Sequence, residues 1–593
     1  PGIGDLYNYD IDLDGALESL RRKEILIVDN DPRSPERGQY RFVQALLRAS
    51  AYDTLSRRDR HSRHLAAAQH LAGLPDADTI AGLVAAHYLD ALAAVPEAPD
   101  AAQLRERAAG LLEQAAVHAA GVGAPRDALA HYGQLLDLGL PDETVVRVAL
   151  LASTLAVEAA DNLEHSLSWV DWGLAAARRI GDEEAVLQLN LNQARLLANK
   201  GAITEAMQIM RGVYAAALDR PDRVGLLAGA ARLLAVGAQT TGEHEFAQRV
   251  VMGALPMIER YGSDAHFGTL IDGLAAWASG AGYRRFSMVI GQGARLRTEG
   301  RESDAIVREL NSVALLVNDD PATAITQATS ALQRAEELGL VASRIVAIAH
   351  LVNAAFTAGR WQQGIELLER HVGEGRTDRL AWEAYIAGGS ALLAYGRADQ
   401  SVRLPALGTY DESGDALVQG WTLMNDAVTT YLGSDRTGGA SVAADAVMAM
   451  ITLGKTSEDI PPVYGLAVDM LLDADDRARL EQLTASLEEV PLGQRFRYLH
   501  GQLLRARAHL STDPAQTVQG LRAAIEVFTA MGAAYPAART RVELAARLAD
   551  DGDVRAATDL LANARPLLEK LGAVVPLAVA DRVAAALTPV AST

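Results

Sequence analysis

The sequence predicts an all-α fold of stacked helical hairpins, and three observations carry that prediction. The first is a recurring turn. Six times a glycine is followed five residues later by a small residue, with a largely apolar pair eight and nine residues on: Gly123-APRD-Ala128, Gly201-AITE-Ala206, Gly242-EHEF-Ala247, Gly359-RWQQ-Gly364, Gly396-RADQ-Ser401 and Gly552-DVRA-Ala557. The pairs include Ile209-Met210, Val250-Val251, Leu367-Leu368 and Leu560-Leu561; His131-Tyr132 and Leu404-Pro405 are weaker. Such a glycine ends one helix, the small residue lets the next helix approach closely, and the apolar pair fills the groove between them. The second observation is composition: 49% hydrophobic but only 5% aromatic, so packing falls to Ala and Leu, both strong helix formers. The third is length, since 593 residues can share one continuous core when hairpins stack in a row.

Charge and cysteine content narrow the function. A formal net charge of −20 is unsuited to nucleic acid or an anionic membrane over most of the chain. With no cysteine there are no disulfides or thiolate metal sites, and no oxidising compartment is needed. No run of 18 or more apolar residues appears and no signal-peptide pattern opens the chain. The expectation is a soluble, cytoplasmic chain without a membrane partner. Pro1 in place of Met is read as the distal part of a longer protein.

Residues 1–75 read differently. Leu13 to Lys23 is a short helix, and Glu24-ILI-Val28 an apolar, β-branched strand. A loop with Pro32, Pro35 and Gly38 leads to a second strand at Gln39–Val43. Helical spacing returns from Gln44, and a basic helix runs from Arg57 to Leu71. Helix, hairpin, helix is the order of a winged-helix end. The segment holds eleven acidic and eleven basic side chains, so the whole negative charge belongs to the helical remainder.

The stretch from Pro32 to Leu71 resembles the winged-helix end of the signal-transduction ATPases (STAND class) of actinobacterial multidomain regulators. The segments Thr79-IAGLVAAHYLDAL and Leu521-RAAIEVFTAMGAAYPAARTRVELAARLA are similar to that family's repeats. The resemblance implies a winged-helix module over 1–75 and a tetratricopeptide-like superhelix over 76–593. It also implies an ATPase core upstream, often with a class III adenylate/guanylate cyclase domain. Related switches carry a Met-His-Asp-Leu motif whose His contacts ADP. The matching positions are Val43-Gln44-Ala45-Leu46, which assigns nucleotide sensing to Gln44. Its amide can donate to a phosphate but cannot become cationic, and Ala45 offers no carboxylate. The alternative is an ordinary strand-to-helix junction residue.

Other motifs fail on their own chemistry. Asp10-IDLD-Gly15 starts like a calcium loop, but loop position 12 is Arg21, so these carboxylates are expected to cap a helix. Ile25-LIVDND-Pro32 lacks the further strands of an NTPase or receiver sheet, which leaves Asp29 and Asp31 as solvated wing residues. Gly454-Lys455-Thr456 lacks the first glycine of a phosphate loop, having Ala449 there, and reads as a helix C-terminus. Gly291-Gln-Gly293 lacks the third glycine of a dinucleotide fingerprint. His61, His64 and His70 share the basic helix, where Arg57, Arg58, Arg60 and Arg63 repel a cation; a solvated face and no metal site are expected. The same arginines are candidates for contacting phosphate or a neighbouring domain. Trp169 and Trp172 are either an aromatic ligand patch or core packing.

The expected function is non-catalytic sensing and scaffolding: a protein, peptide or ligand binds the concave face of the repeats and is relayed to upstream nucleotide-dependent domains. Self-association is a further expected partner mode. No cofactor belongs to this chain; ATP or ADP and Mg²⁺ act through the upstream domains the resemblance implies. Spacings of 41 residues from Gly201 to Gly242 and 37 from Gly359 to Gly396 exceed the 34-residue tetratricopeptide repeat, which predicts longer helices or irregular loops. Two rival readings are the repeat region of a transcription regulator with its DNA-binding domain upstream, and an enzyme hidden in the helical stack.

Overall fold

A computed structural model describes residues 12–28, 39–75, 77–160, 162–283, 287, 289–290, 302–376, 378–405 and 416–587. Gly291, Gly293, Asp10, Asp29 and Asp31 lie outside the described residues. Among the described residues the fold is all-α apart from one hairpin, and the chain divides into two compact units, Pro1–Ala152 and Ser153–Thr593.

In the first unit the helix Leu13–Arg22 starts at Asp12, whose carboxylate accepts the Gly15 N–H at 3.0 Å. This is the capping role expected of that acidic run. Strands Leu26–Val28 and Tyr40–Phe42 pair antiparallel, Leu26 opposite Phe42 and Val28 opposite Tyr40. The helices Leu13–Arg22 and Ala45–Asp53 bury no residue. The core begins with the basic helix Arg57–Ala72, capped by Ser56. Ala68 on that helix packs with Val84, Tyr88 and Ala91 of Ala81–Ala94 and Leu104 and Ala108 of Ala101–Gly121. The helix Arg57–Ala72 therefore shares its core with the helices that follow residue 75.

The second unit is a succession of hairpins in which an inner helix packs on the next inner helix while an outer helix covers the join. Inner helices Glu183–Lys200, Val224–Thr241 and Asp264–Gly280 stack in this way, with Ile203–Ala217 and His244–Tyr261 outside them. The pattern continues through Val341–Ala358 with Trp361–Glu374, Ile460–Asp473 with Arg477–Glu488, and Ala534–Asp550 with Val554–Leu571. Gly123, Gly201, Gly242, Gly359 and Gly552 all take the left-handed conformation that ends a helix. The small residues five positions on, Ala128, Ala206, Ala247 and Ala557, are buried.

Gly396 departs from the pattern. A β-carbon there would run into the indole of the buried Trp361, so the residue serves helix approach rather than chain reversal. The helix continues to Arg397, Ala398 takes the left-handed conformation at φ 52°, and a single 3₁₀ turn at Gln400–Val402 follows with Ser401 exposed.

Segments far apart along the second unit also touch one another. Arg379 donates to the carbonyls of Val157 and Ala160 across 222 and 219 positions, and Asn318 donates to the Glu458 carbonyl across 140. Asp378 accepts the Leu163 N–H, and Arg397 donates to the Leu571 carbonyl. Two stretches, Pro221–Thr241 and Val341–Ala358, are long and apolar enough to cross a membrane; 56% and 83% of them is buried within the fold, as in a core helix.

Candidate functional site

Where the inner helices of the second unit do not touch, they leave a cavity of about 200 Å³. Its walls come from helices distant in sequence: Gln239, Asp272, Arg308, His350, Trp382, Tyr385 and Trp421, closed by Ser457, Glu458 and Asp459. The closing turn follows Gly454-Lys455-Thr456. Gly454 has φ 112°, Lys455 pairs with Glu489 at 2.6 Å, and Thr456 Oγ1 donates to the Gly280 carbonyl. The apparent phosphate-loop tail is therefore a plug between two turns of the stack.

One wall is aromatic. Tyr385 and Trp421 have ring centroids 4.4 Å apart, and His350 lies edge-on to both Trp382 and Tyr385 at 6.0 and 5.7 Å. The other wall is charged, with the carboxyl groups of Asp272, Glu458 and Asp459 outnumbering the one guanidinium, Arg308. Trp421 Nε1 donates to Asp459 Oδ1 at 3.2 Å, and Gln239 Nε2 donates to Glu458 Oε1 at 3.1 Å. Asp272 accepts from Arg232 and, at 3.3 Å, from Asn311. Burial raises the Glu458 carboxyl above its usual range, which holds a proton there more firmly. Burial also pushes the His350 imidazole down to about 4, so it is neutral at pH 7, and its Nδ1 is buried without a partner among the described residues. A second cavity of about 560 Å³ shares Asp272 and Arg308 with the first and adds Glu158, Arg195, Arg232 and Asp304.

The residues singled out from sequence lie elsewhere. Gln44 caps the helix Ala45–Asp53 only with its backbone; its carbonyl accepts from Leu47 and Arg48, and the side chain is exposed. Arg57, Arg58 and Arg63 are exposed. Arg60 instead pairs with Asp53 at 3.4 Å and lies over the Tyr52 ring at 4.6 Å. Trp169 and Trp172 form no common patch: Trp169 is buried against His165, while Trp172 is 42% exposed. Three residues on a helix span 300°, enough to put one ring in the core and the other at its edge.

The solvated histidine face expected on the basic helix is not what the structure has, because helix Ala81–Ala94 covers it. His61 Nδ1 lies 2.9 Å from the Ala91 carbonyl and its Nε2 3.4 Å from Asp100. His64 meets Tyr52, His87 and Asp90. Neither this cluster nor the inner cavity has a local sequence signal, since their members come from different helices. The nearest hint was the density of Trp and Tyr between Trp382 and Trp421 in a chain poor in aromatics.

No protein-family model matches the chain, and no curated protein matches it. Among solved structures, the crystal structure of yeast Tom70 is similar over 81% of this chain and 96% of that one, at 13% identity and a TM-score of 0.21, a likeness too slight to bear on what the chain does.

Proposed function

We propose that this chain is a non-catalytic sensor and scaffold region that takes a small organic cation into the inner cavity of its second unit. The observation that carries the reading is the pairing of an aromatic wall (Trp382, Tyr385, Trp421) with the carboxyl groups of Glu458 and Asp459. Aromatic faces attract a cation, most strongly when it is desolvated, and a buried carboxyl with a raised pKa ionises when a positive charge enters beside it. A cavity of about 200 Å³ admits a small molecule or one peptide side chain, and not a folded partner. The outer faces of the hairpins are left for a protein partner.

The resemblance to STAND-class regulators extends this proposal. The sensed signal is relayed to an ATPase core, in a cyclase-linked cytoplasmic regulator, which holds ATP or ADP and Mg²⁺. The exposed apolar residues Phe42, Val43 and Leu46, together with Arg57, Arg58 and Arg63, suit a contact with that core, and Gln44 a contact with its nucleotide.

The test is tryptophan fluorescence of the chain titrated with small amines and size-matched carboxylic acids. Saturable quenching by amines alone is expected, lost in Trp421→Ala. Preference for acids, or binding unchanged in Trp421→Ala, overturns the assignment. For the relay, calorimetry on this chain is expected to show no ATP or ADP binding tighter than millimolar, since a few contacts without a preformed cradle seldom outweigh the entropy of association. Micromolar nucleotide binding would contradict it.

A further inference from the structure

In the first unit, three metal-binding side chains converge from two helices. His64 is on Arg57–Ala72, and His87 and Asp90 are three apart on one face of Ala81–Ala94. The two Nδ1 atoms are 3.0 Å apart, and Asp90 Oδ2 is 3.5 Å from His64 Nδ1. All three ligand atoms lie within 4.8 Å of one another.

We propose that His64, His87 and Asp90 form a binding site for a divalent cation of the zinc class, which ties the basic helix to the helix after it. Imidazole nitrogens bound to zinc at about 2.0–2.1 Å in tetrahedral geometry stand roughly 3.3 Å from each other. The facing pair therefore needs only a few tenths of an ångström of adjustment. A hydrogen bond between the two rings would account for the pair but not for the carboxylate beside it.

Tyr52 supplies the outer support such sites use. Its hydroxyl oxygen lies 2.9 Å from His64 Nε2; in the tautomer that a metal on Nδ1 requires, Nε2–H donates to that oxygen and Nδ1 presents its lone pair to the site. Two imidazoles and one carboxylate suit zinc, cobalt or nickel better than the hard cations calcium or magnesium.

The arginines that argue against a metal from sequence do not crowd these atoms. Arg60 is turned to Asp53 and Tyr52, and Arg57, Arg58 and Arg63 are exposed. Asp90 is 58% exposed, so water reaches the site and can complete the coordination.

The experiment is calorimetric titration of the metal-stripped chain with Zn²⁺, repeated with Co²⁺ and read by visible absorption. One saturable equivalent is expected, with the cobalt spectrum of a nitrogen- and oxygen-ligated ion. His87→Ala and Asp90→Asn are each expected to weaken it roughly tenfold or more. His118→Ala, an exposed histidine on Ala101–Gly121, is the control and leaves binding unchanged. Asp90→Asn keeps the proposal testable if His87→Ala unfolds. Absence of a saturable equivalent in the native chain, or its retention in Asp90→Asn, overturns the site.

Discussion

The two helices of one hairpin, Ile460–Asp473 and Arg477–Glu488, show how differently the inside and outside of this stack are built. The outer helix buries four residues, Leu480, Leu483, Thr484 and Leu487, a stripe at helical spacing with a polar remainder. The inner helix buries every residue from Ile460 to Leu471. Among them is Asp469, held at 2.6 Å by Arg505 of the next inner helix and at 2.6 Å by Arg539 of the one after. Glu543 joins the same pair of arginines; burial pushes its carboxyl up, but Arg505 and His509 outweigh that and hold it well below the usual range. An outer helix needs only one apolar face. An inner helix has neighbours on every side, so any charge it carries must be paired there.

The largest test of that contrast is Asp469→Ala, which leaves Arg505 and Arg539 short of a carboxylate in the interior. A loss of about 3–5 kcal/mol is expected in urea unfolding. Glu481→Ala, on the outer helix, removes an equally short pair with Arg507 in which the Glu481 side chain is half exposed, and is expected to cost less than about 1 kcal/mol. Equal losses would mean the inner cluster is as solvated as the outer pair.

A second test uses pH. The folded His350 takes a proton only near 4, whereas the unfolded residue does so near its ordinary 6.5. Between those values the unfolded state binds more protons, so stability falls as pH drops from 6.5 towards 4. The loss is on the order of 3 kcal/mol. Unfolding midpoints of the native chain and His350→Gln, measured across that window, should differ in slope; parallel curves would mean the imidazole is open to water.

A smaller effect probes the hairpin joins. Ala247 is fully buried where His244–Tyr261 approaches its partner, so Ala247→Leu overpacks the join by roughly 1–3 kcal/mol, read from the melting temperature. The smallest is Trp172→Ala, expected to change stability by no more than about 0.5 kcal/mol because that ring lies outside the core. A large loss there would place the residue in a contact the isolated chain does not show.

Much of the fold was legible because its signals are local. Asp12 caps a helix, the strands around Leu26 and Tyr40 pair, and five turn glycines reverse the chain, each within a few residues of the pattern that predicts it. The sixth, Gly396, misleads because its reason is Trp361, 35 positions away and invisible to any turn pattern. The histidines of the basic helix misled for the same cause, since the helix that covers them brings His87 and Asp90 to His64.

The helices, their turns and their hairpin pairing are legible in the chain's own residues, because capping, left-handed glycine and apolar periodicity act over one or two turns of chain. Which distant segments meet, and where a cavity is left between them, follows from the tertiary packing alone. Those outcomes depend on whether side chains as far apart as Gln239 and Glu458 meet, 219 positions along the chain. That is settled by how each hairpin rotates on the last, a small angle set by packing at every join and accumulated over the whole stack.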